Sequence, residues 1–211
     1  MWLKEVKSLA IPEIKVIKFE RYQDQRGYFT EPFRKSQIIN HPSLQEFKNK
    51  EIVQISESFS KPGTLRGLHF QWNPYMGKLV RTIQGRMIDI IVDLRKRSPT
   101  YGKGILYDMP EQKEIDEWIW VPEGFAHGNM FTEETKIEYL CTGEYNGACE
   151  AGISPLAGDI DWSLNNKKLL KELKEHMQSD NVIITDKDKN AMTVKEWLED
   201  PRSKEMTYQE Q

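Results

Sequence analysis

Long hydrophobic runs are missing from this chain of 211 residues. No stretch approaches the roughly 18 consecutive apolar residues that a membrane helix requires, so no membrane partner is expected. The opening residues, Met1-Trp2-Leu3-Lys4-Glu5, hold neither an apolar core nor a small-residue cleavage site, and no secretory signal is expected. Cysteine is scarce: Cys141 and Cys149 are too few for a disulfide framework and fit a reduced, cytoplasmic setting. Excess positive charge is lacking as well, with 30 Lys+Arg against 33 Asp+Glu and a formal net charge of −3. A nucleic-acid binder usually carries a basic excess or stripe, so no nucleic-acid partner is expected. The balance still leaves room for a few arginines gripping a small phosphorylated ligand.

What is present is a soluble, globular composition whose texture changes along the chain. Arg86–Arg95 reads RMIDIIVDLR, with Ile88, Ile90, Val92 and Leu94 on one face and Asp89 and Asp93 on the other, the period of a strand. Similar runs occur at Ile14–Phe19, Ile52–Ser58, Lys78–Ile83, Trp118–Val121 and Thr135–Thr142. Turn signals separate them, among them Lys61-Pro62-Gly63, Gln84-Gly85, Ser98-Pro99, Pro122-Glu123-Gly124 and Asn146-Gly147. Many short strands with such punctuation predict an all-β sandwich or barrel. From Asn165 to Met177 the period becomes helical, with Leu169, Leu170, Leu173 and Met177 on one face. A second short helix is expected from Thr193, with Glu196 completing a capping box. The expectation is a single domain over residues 1–211, its β core at about 10–163 and a helical extension at about 164–211.

Candidate chemistry is confined to a few residues. Of the four histidines, His41 sits in the loop signature Asn40-His41-Pro42 and His176 in a charged helix, where a surface role is the plain reading. His69 and His127 lie among glycines and apolar residues in strand-like sequence. On a regular strand Leu65, Gly67, His69 and Gln71 share one face. The glycine then gives a ligand room to approach, and a core histidine satisfied by hydrogen bonds is the equal alternative. No His-x-His pair occurs, and the two cysteines stand eight residues apart, so the spacing of a metal site is absent and no metal is expected. Tyr139 shares a strand face with Ile137 and Cys141. It either fills core or serves as an acid opposite His69. Lys78 opens an apolar strand, either solvated there or, inside a cavity, placed to stabilise an oxyanion.

Together these segments resemble the dTDP-4-dehydrorhamnose 3,5-epimerase family, cupin-like epimerases of sugar nucleotides. The resemblance rests on Asp24–Glu31 (DQRGYFTE), Leu65–Gln71 (LRGLHFQ), Gly77–Arg81 (GKLVR), Asp89–Tyr101 (DIIVDLRKRSPTY) and Trp120–Gly128 (WVPEGFAHG), with a weaker block at Ile184–Asp188 (ITDKD). It implies a cupin-type jelly roll with short C-terminal helices. It also implies a homodimer in which an N-terminal strand of one subunit completes the partner's site, and a nucleotide-sugar substrate epimerised without a cofactor. The last point fits the absence of a Gly-x-Gly-x-x-Gly fingerprint. In its terms His69 is the base, oriented by Asp188; Lys78 meets the enolate oxygen; Tyr139 reprotonates from the other face. Arg66, Arg26 and Tyr145 bind the diphosphate, Gln54 and Glu31 recognise the nucleotide base, and His127 supports the cavity. Arg26 and Glu31 are placed to act across the dimer.

The chemistry of these types is apt. Histidine titrates near neutrality, at about 6.5 in free peptides, and an aspartate fixes its tautomer. Arginine's planar fork suits a diphosphate. The chain also departs from the family. Ser56, in Gln54-Ile55-Ser56-Glu57-Ser58, takes the substrate-binding place where an asparagine is usual. Glu144-Tyr145 replaces paired tyrosines, and Ser154-Pro155-Leu156-Ala157 lies near the usual Trp-Asn-Asp-Pro. These differences bear on which nucleotide is bound and on whether one or both of C3 and C5 invert. Beside the 3,5-epimerase stand a monoepimerase or ketoisomerase on a CDP- or GDP-sugar, a cupin that only binds, and a metal-dependent oxygenase, the last disfavoured by the missing paired histidines.

Overall fold

The computed structural model describes residues 3–208. Two antiparallel sheets face one another. The larger runs β1 (Leu3–Ser8), β2 (Lys15–Glu20), β10 (Ile115–Val121), β7 (Lys78–Gln84), β12 (Thr135–Cys141) and β5 (Gln54–Ser60). The other runs β13 (Glu150–Gly152), β6 (Leu65–Gln71), β11 (Phe125–Phe131), β8 (Arg86–Asp93) and β9 (Gly104–Pro110). A separate hairpin, β3 (Tyr22–Asp24) and β4 (Gly27–Phe29), stands outside both sheets. This is the cupin-type jelly roll, with helices α1 (Lys35–Ile39), α2 (Lys167–Met177), α3 (Asp186–Lys189) and α4 (Val194–Glu199) added to it.

Three apolar clusters explain the layering. Val16, Val80, Met87, Ile91, Ile119, Phe131 and Ile137, from both sheets, fill the interior of the sandwich. Ile88, Ile90, Val92 and Leu94 instead pack outward against Leu169, Leu173, Val194 and Trp197 of the C-terminal helices. On the opposite outer face Ile17, Leu79, Trp118 and Trp120 are covered by Ile38, Leu44 and Phe47. The period of two in β8 therefore does not separate core from solvent. Both of its faces are buried, and Asp89 and Asp93 are fully enclosed.

The tail forms as its sequence demands. Asn166 caps α2 by accepting from the Leu169 amide at 2.8 Å, and the helix docks Leu169 and Leu173 into the core. Thr193 and Glu196 form the expected capping box of α4. Between the two helices the chain is stitched to the five-stranded sheet at two points. Leu65 of β6 donates to the Ile183 carbonyl at 2.9 Å, and Met192 donates to the Gly152 carbonyl of β13 at 3.3 Å. His176 is half-buried rather than a surface residue, its ring 3.1 Å from the Gly63 carbonyl. These ties hold α3 against β6. The sheet also begins before residue 10, because β1 pairs with β2 of the same chain.

Candidate active site

One large cavity, about 650 Å³, opens between the sheets and is lined among others by Arg66, His69, Lys78, His127, Tyr139 and Asp188. Its volume falls in the range of small-molecule sites. His69 and His127 come from neighbouring strands of the five-stranded sheet and face each other in register. Lys78 and Tyr139 come from β7 and β12 of the six-stranded sheet. A ligand in this cavity thus has imidazole on one side and phenol on the other.

A bulge aims His69. Between His127 and Asn129 of β11 the partner on β6 steps from His69 to Arg66, leaving one extra residue on β6. Regular alternation is broken: Leu65 packs with Leu68 and Phe70 in one core cluster, while Arg66 and His69 both reach the cavity. The expected sharing of one face by Leu65, Gly67, His69 and Gln71 does not hold for this reason. Gly67 permits the bulge, with φ of +102° and Gly128 so close that a Cβ would lie 2.7 Å from its Cα.

Asp188 reaches the site from the tail. Thr185 caps α3 by accepting from the Asp188 amide at 3.2 Å, which turns the carboxylate toward β6. One oxygen lies 2.7 Å from His69 Nε2 and the other accepts from the Gly67 amide at 3.2 Å. Burial pushes the Asp188 carboxyl up, but the His69 ring, the Gly67 amide and Thr185 outweigh it and hold the group below the ordinary aspartate value. A carboxylate only accepts, so His69 Nε2 carries the proton and Nδ1 is left as the basic nitrogen.

His127 has a comparable partner that the sequence reading did not single out. Asp89 lies 2.6 Å from His127 Nε2 and accepts from Asn129 at 2.5 Å. Its other oxygen is buried with no hydrogen-bond partner among the described residues. The signal was an aspartate inside an otherwise apolar strand run, where an unpaired charge is costly.

Burial lowers the Lys78 amine below the ordinary lysine value, against the opposing pull of Cys141, Glu150 and Asp89. Burial raises the Tyr139 phenol, while Ser56 and Arg66 draw it down and Cys141 adds to the rise. Lys61, Arg66, Lys78 and Lys187 line the cavity against the carboxylate of Asp188, and although Lys187 is paired with Glu150 at 2.6 Å the balance of the others favours an anionic ligand. The Arg66 guanidinium is held by Ser60 Oγ at 3.0 Å and the Phe59 carbonyl at 3.1 Å, with no carboxylate partner among the described residues. Lys61 and Lys187 were not anticipated.

Other expected residues lie apart from this cavity. Arg26 projects from the β3–β4 hairpin with its side chain 85% exposed, paired with Asp24 at 2.6 Å. Glu31 pairs with Arg34 at 2.5 Å. Tyr145 lines a narrow adjoining cleft with His69, Lys78, His127 and Glu150. Gln54 accepts from the Tyr145 amide at 2.9 Å, and Ser56 stands behind Tyr139, directly across from it in the β5–β12 ladder. Among the described residues no group of three or more His, Cys, Asp or Glu side chains is arranged to hold a metal ion.

A family model described as dTDP-4-dehydrorhamnose 3,5-epimerase matches residues 8–196. The chain belongs to the dTDP-4-dehydrorhamnose 3,5-epimerase family. It is 38% identical over 171 residues to an enzyme of that name from Sinorhizobium fredii, covering 78% of this chain and 84% of that one. The family enzyme from Methanothermobacter thermautotrophicus is also 38% identical, over 187 residues, covering 86% and 89%. Among solved structures, the dTDP-6-deoxy-D-glucose-3,5-epimerase of Legionella pneumophila, in complex with dTDP-4-keto-L-rhamnose, superposes with a TM-score of 0.80 at 28% identity. That match covers 98% of this chain and 99% of the other. Membership in this epimerase family makes the chain an isomerase, and it accounts for a cavity with titratable groups on both walls. No helix among the described residues is long and apolar enough to cross a membrane.

Proposed function

We propose that the protein inverts C3 and C5 of a dTDP-linked 4-keto-6-deoxyhexose, converting dTDP-4-dehydro-6-deoxy-D-glucose to dTDP-4-dehydro-L-rhamnose for deoxysugar and surface polysaccharide biosynthesis. The observation that carries this reading is the opposition of His69, backed by Asp188, to Tyr139 across one cavity that also holds Lys78. His69 takes the proton from a carbon beside the C4 ketone, and the C–H electron pair becomes the enolate. The Lys78 ammonium meets the charge on oxygen. Tyr139 delivers its proton to the opposite face of the carbon, the ketone re-forms, and the centre is inverted. His127, fixed by Asp89, supports the cavity wall. Arg66 binds the diphosphate, with Lys61 adding positive charge. Tyr145 and Gln54 act at the edge of the site.

Arg26 and Glu31 fit this scheme through a homodimer. The β3–β4 hairpin leaves the body of its own chain, and its Tyr22, Tyr28 and Phe29 are more than half exposed. We assign the hairpin to the partner's cavity, where Arg26 meets the diphosphate and Glu31 the base. Residues 1–211 act as one domain, since the tail supplies both Asp188 and the cover of the outer core. The free thiols of Cys141 and Cys149 fit a cytoplasmic location.

The test is the configuration of the product. The protein is incubated with dTDP-, CDP- and GDP-linked 4-keto-6-deoxyglucose, and the ring proton couplings are read by NMR. Inversion at both C3 and C5 of the dTDP sugar is the expected result. Inversion at one carbon makes the enzyme a monoepimerase, and unchanged sugar from all three contradicts the reading.

A further inference from the structure

We propose that Ser56 is a positioning residue for the acid, held in place by Gln54 so that its hydroxyl hydrogen is directed at the Tyr139 phenol oxygen. The inference rests on the epimerase reading of Tyr139 given above and extends it to a residue expected to touch substrate.

The geometry comes from the ladder. Ser56 of β5 and Tyr139 of β12 are directly opposed, which places their Cβ atoms about 4.5–5.5 Å apart. Across that pair the Ser56 hydroxyl draws the titration of the phenol down, against the rise that burial imposes. Behind it, Gln54 Nε2 donates to Ser56 Oγ at 3.0 Å. The amide orientation of Gln54 is fixed independently, because its Oε1 accepts from the Tyr145 backbone N–H at 2.9 Å. A backbone N–H only donates, so the atom it meets must be the oxygen, and the group facing Ser56 must be the NH₂. With one lone pair of Oγ engaged by Gln54, the single hydroxyl hydrogen is free to point at Tyr139.

This arrangement does something specific in the reaction. As the Tyr139 O–H bond breaks and the enolate electron pair forms the new C–H bond, negative charge develops on the phenol oxygen. Ser56 keeps its own proton and donates a hydrogen bond to that oxygen, stabilising the phenolate. Tyr139 is later reprotonated from solvent. The other titratable groups around the phenol are Arg66 on β6 and Cys141 on its own strand, with His69, Lys78 and His127 sharing the cavity. None of these is a neutral hydroxyl opposite Tyr139 in the ladder. An asparagine side chain at position 56 carries no hydroxyl, so this contact is a property of the present chain.

Two readings test the proposal. The first needs no substrate: the tyrosinate absorbance of Tyr139, obtained by subtracting the Tyr139→Phe protein, is followed against pH. Ser56→Ala should move that titration upward by about one to two pH units, the worth of a hydrogen bond to a charged group. Ser56→Thr, which restores a hydroxyl, should return it. The second reading follows the dTDP sugar in D₂O and compares deuterium uptake with inversion. Ser56→Ala should leave uptake nearly unchanged while the share of uptake events ending in inversion falls about tenfold. An unmoved titration overturns the proposal. So does a Ser56→Ala enzyme that inverts as efficiently as wild type while Tyr139→Phe does not. If Tyr139→Phe itself inverts normally, the acid assignment falls and the role of Ser56 falls with it, so the two failures are told apart by which variant stays active.

Discussion

Lys78 and Tyr139 lie on the same sheet, and burial moves both away from their ordinary values, in opposite directions on the pH scale. The phenol is raised and stays protonated through the working range, as an acid must. The amine is lowered, so its cation is lost at a lower pH than an ordinary lysine near 10.5. An oxyanion stabiliser works only while charged, so activity that depends on Lys78 is present below its lowered value and declines as pH rises through it. The kcat profile should therefore fall before pH 10.5, the ordinary lysine value. A profile that stays flat to that point contradicts the assignment. Single residues were legible as a set through the family resemblance. His69, Lys78, Tyr139 and Asp188 were identified as one set and meet in one cavity. Asp89 was passed over because a period of two assigned it to a polar face, whereas β8 is covered on both sides.

At the scale of elements, helices α2 and α4 were legible because their apolar spacing and caps are local properties. Strands β2, β5, β7, β8, β10 and β12 were legible for the same reason. The bulge in β6 was not, since an extra residue on one strand shows itself only against its partner. Strand β9, Gly104–Pro110, was missed as well, because its neighbours and not its own alternation define it. The short strand β13 is in the same position, with three residues and a single partner strand. The bulge has a direct consequence. Gly67→Ala would force a side chain onto a backbone with φ of +102° and against Gly128 and the His127 carbonyl. We expect it to cost about 2–4 kcal/mol in urea unfolding and to reduce activity by displacing His69. An alanine variant of unchanged stability contradicts this account of how the base is aimed.

Across the whole molecule, the site is an assembly of distant parts. The proposed base lies at residue 69 and the carboxylate it meets at 188, joined because the tail is stitched to β6 and plugged into the outer core by Trp197. The hairpin with Arg26 stands outside both sheets, Arg26 does not line this chain's own cavity, and the dimer proposed above rests on the family resemblance. Deleting residues 22–29 should give a monomer by analytical ultracentrifugation and weaken binding of the dTDP sugar. A protein that is monomeric with the hairpin intact contradicts the shared site. The central claim, that His69 is the base of a two-carbon epimerisation, is tested most directly by solvent exchange. With dTDP-4-keto-6-deoxyglucose in D₂O, the wild-type enzyme should place deuterium at both C3 and C5. His69→Ala should place it at neither while still binding dTDP. Undiminished exchange in His69→Ala would contradict the account.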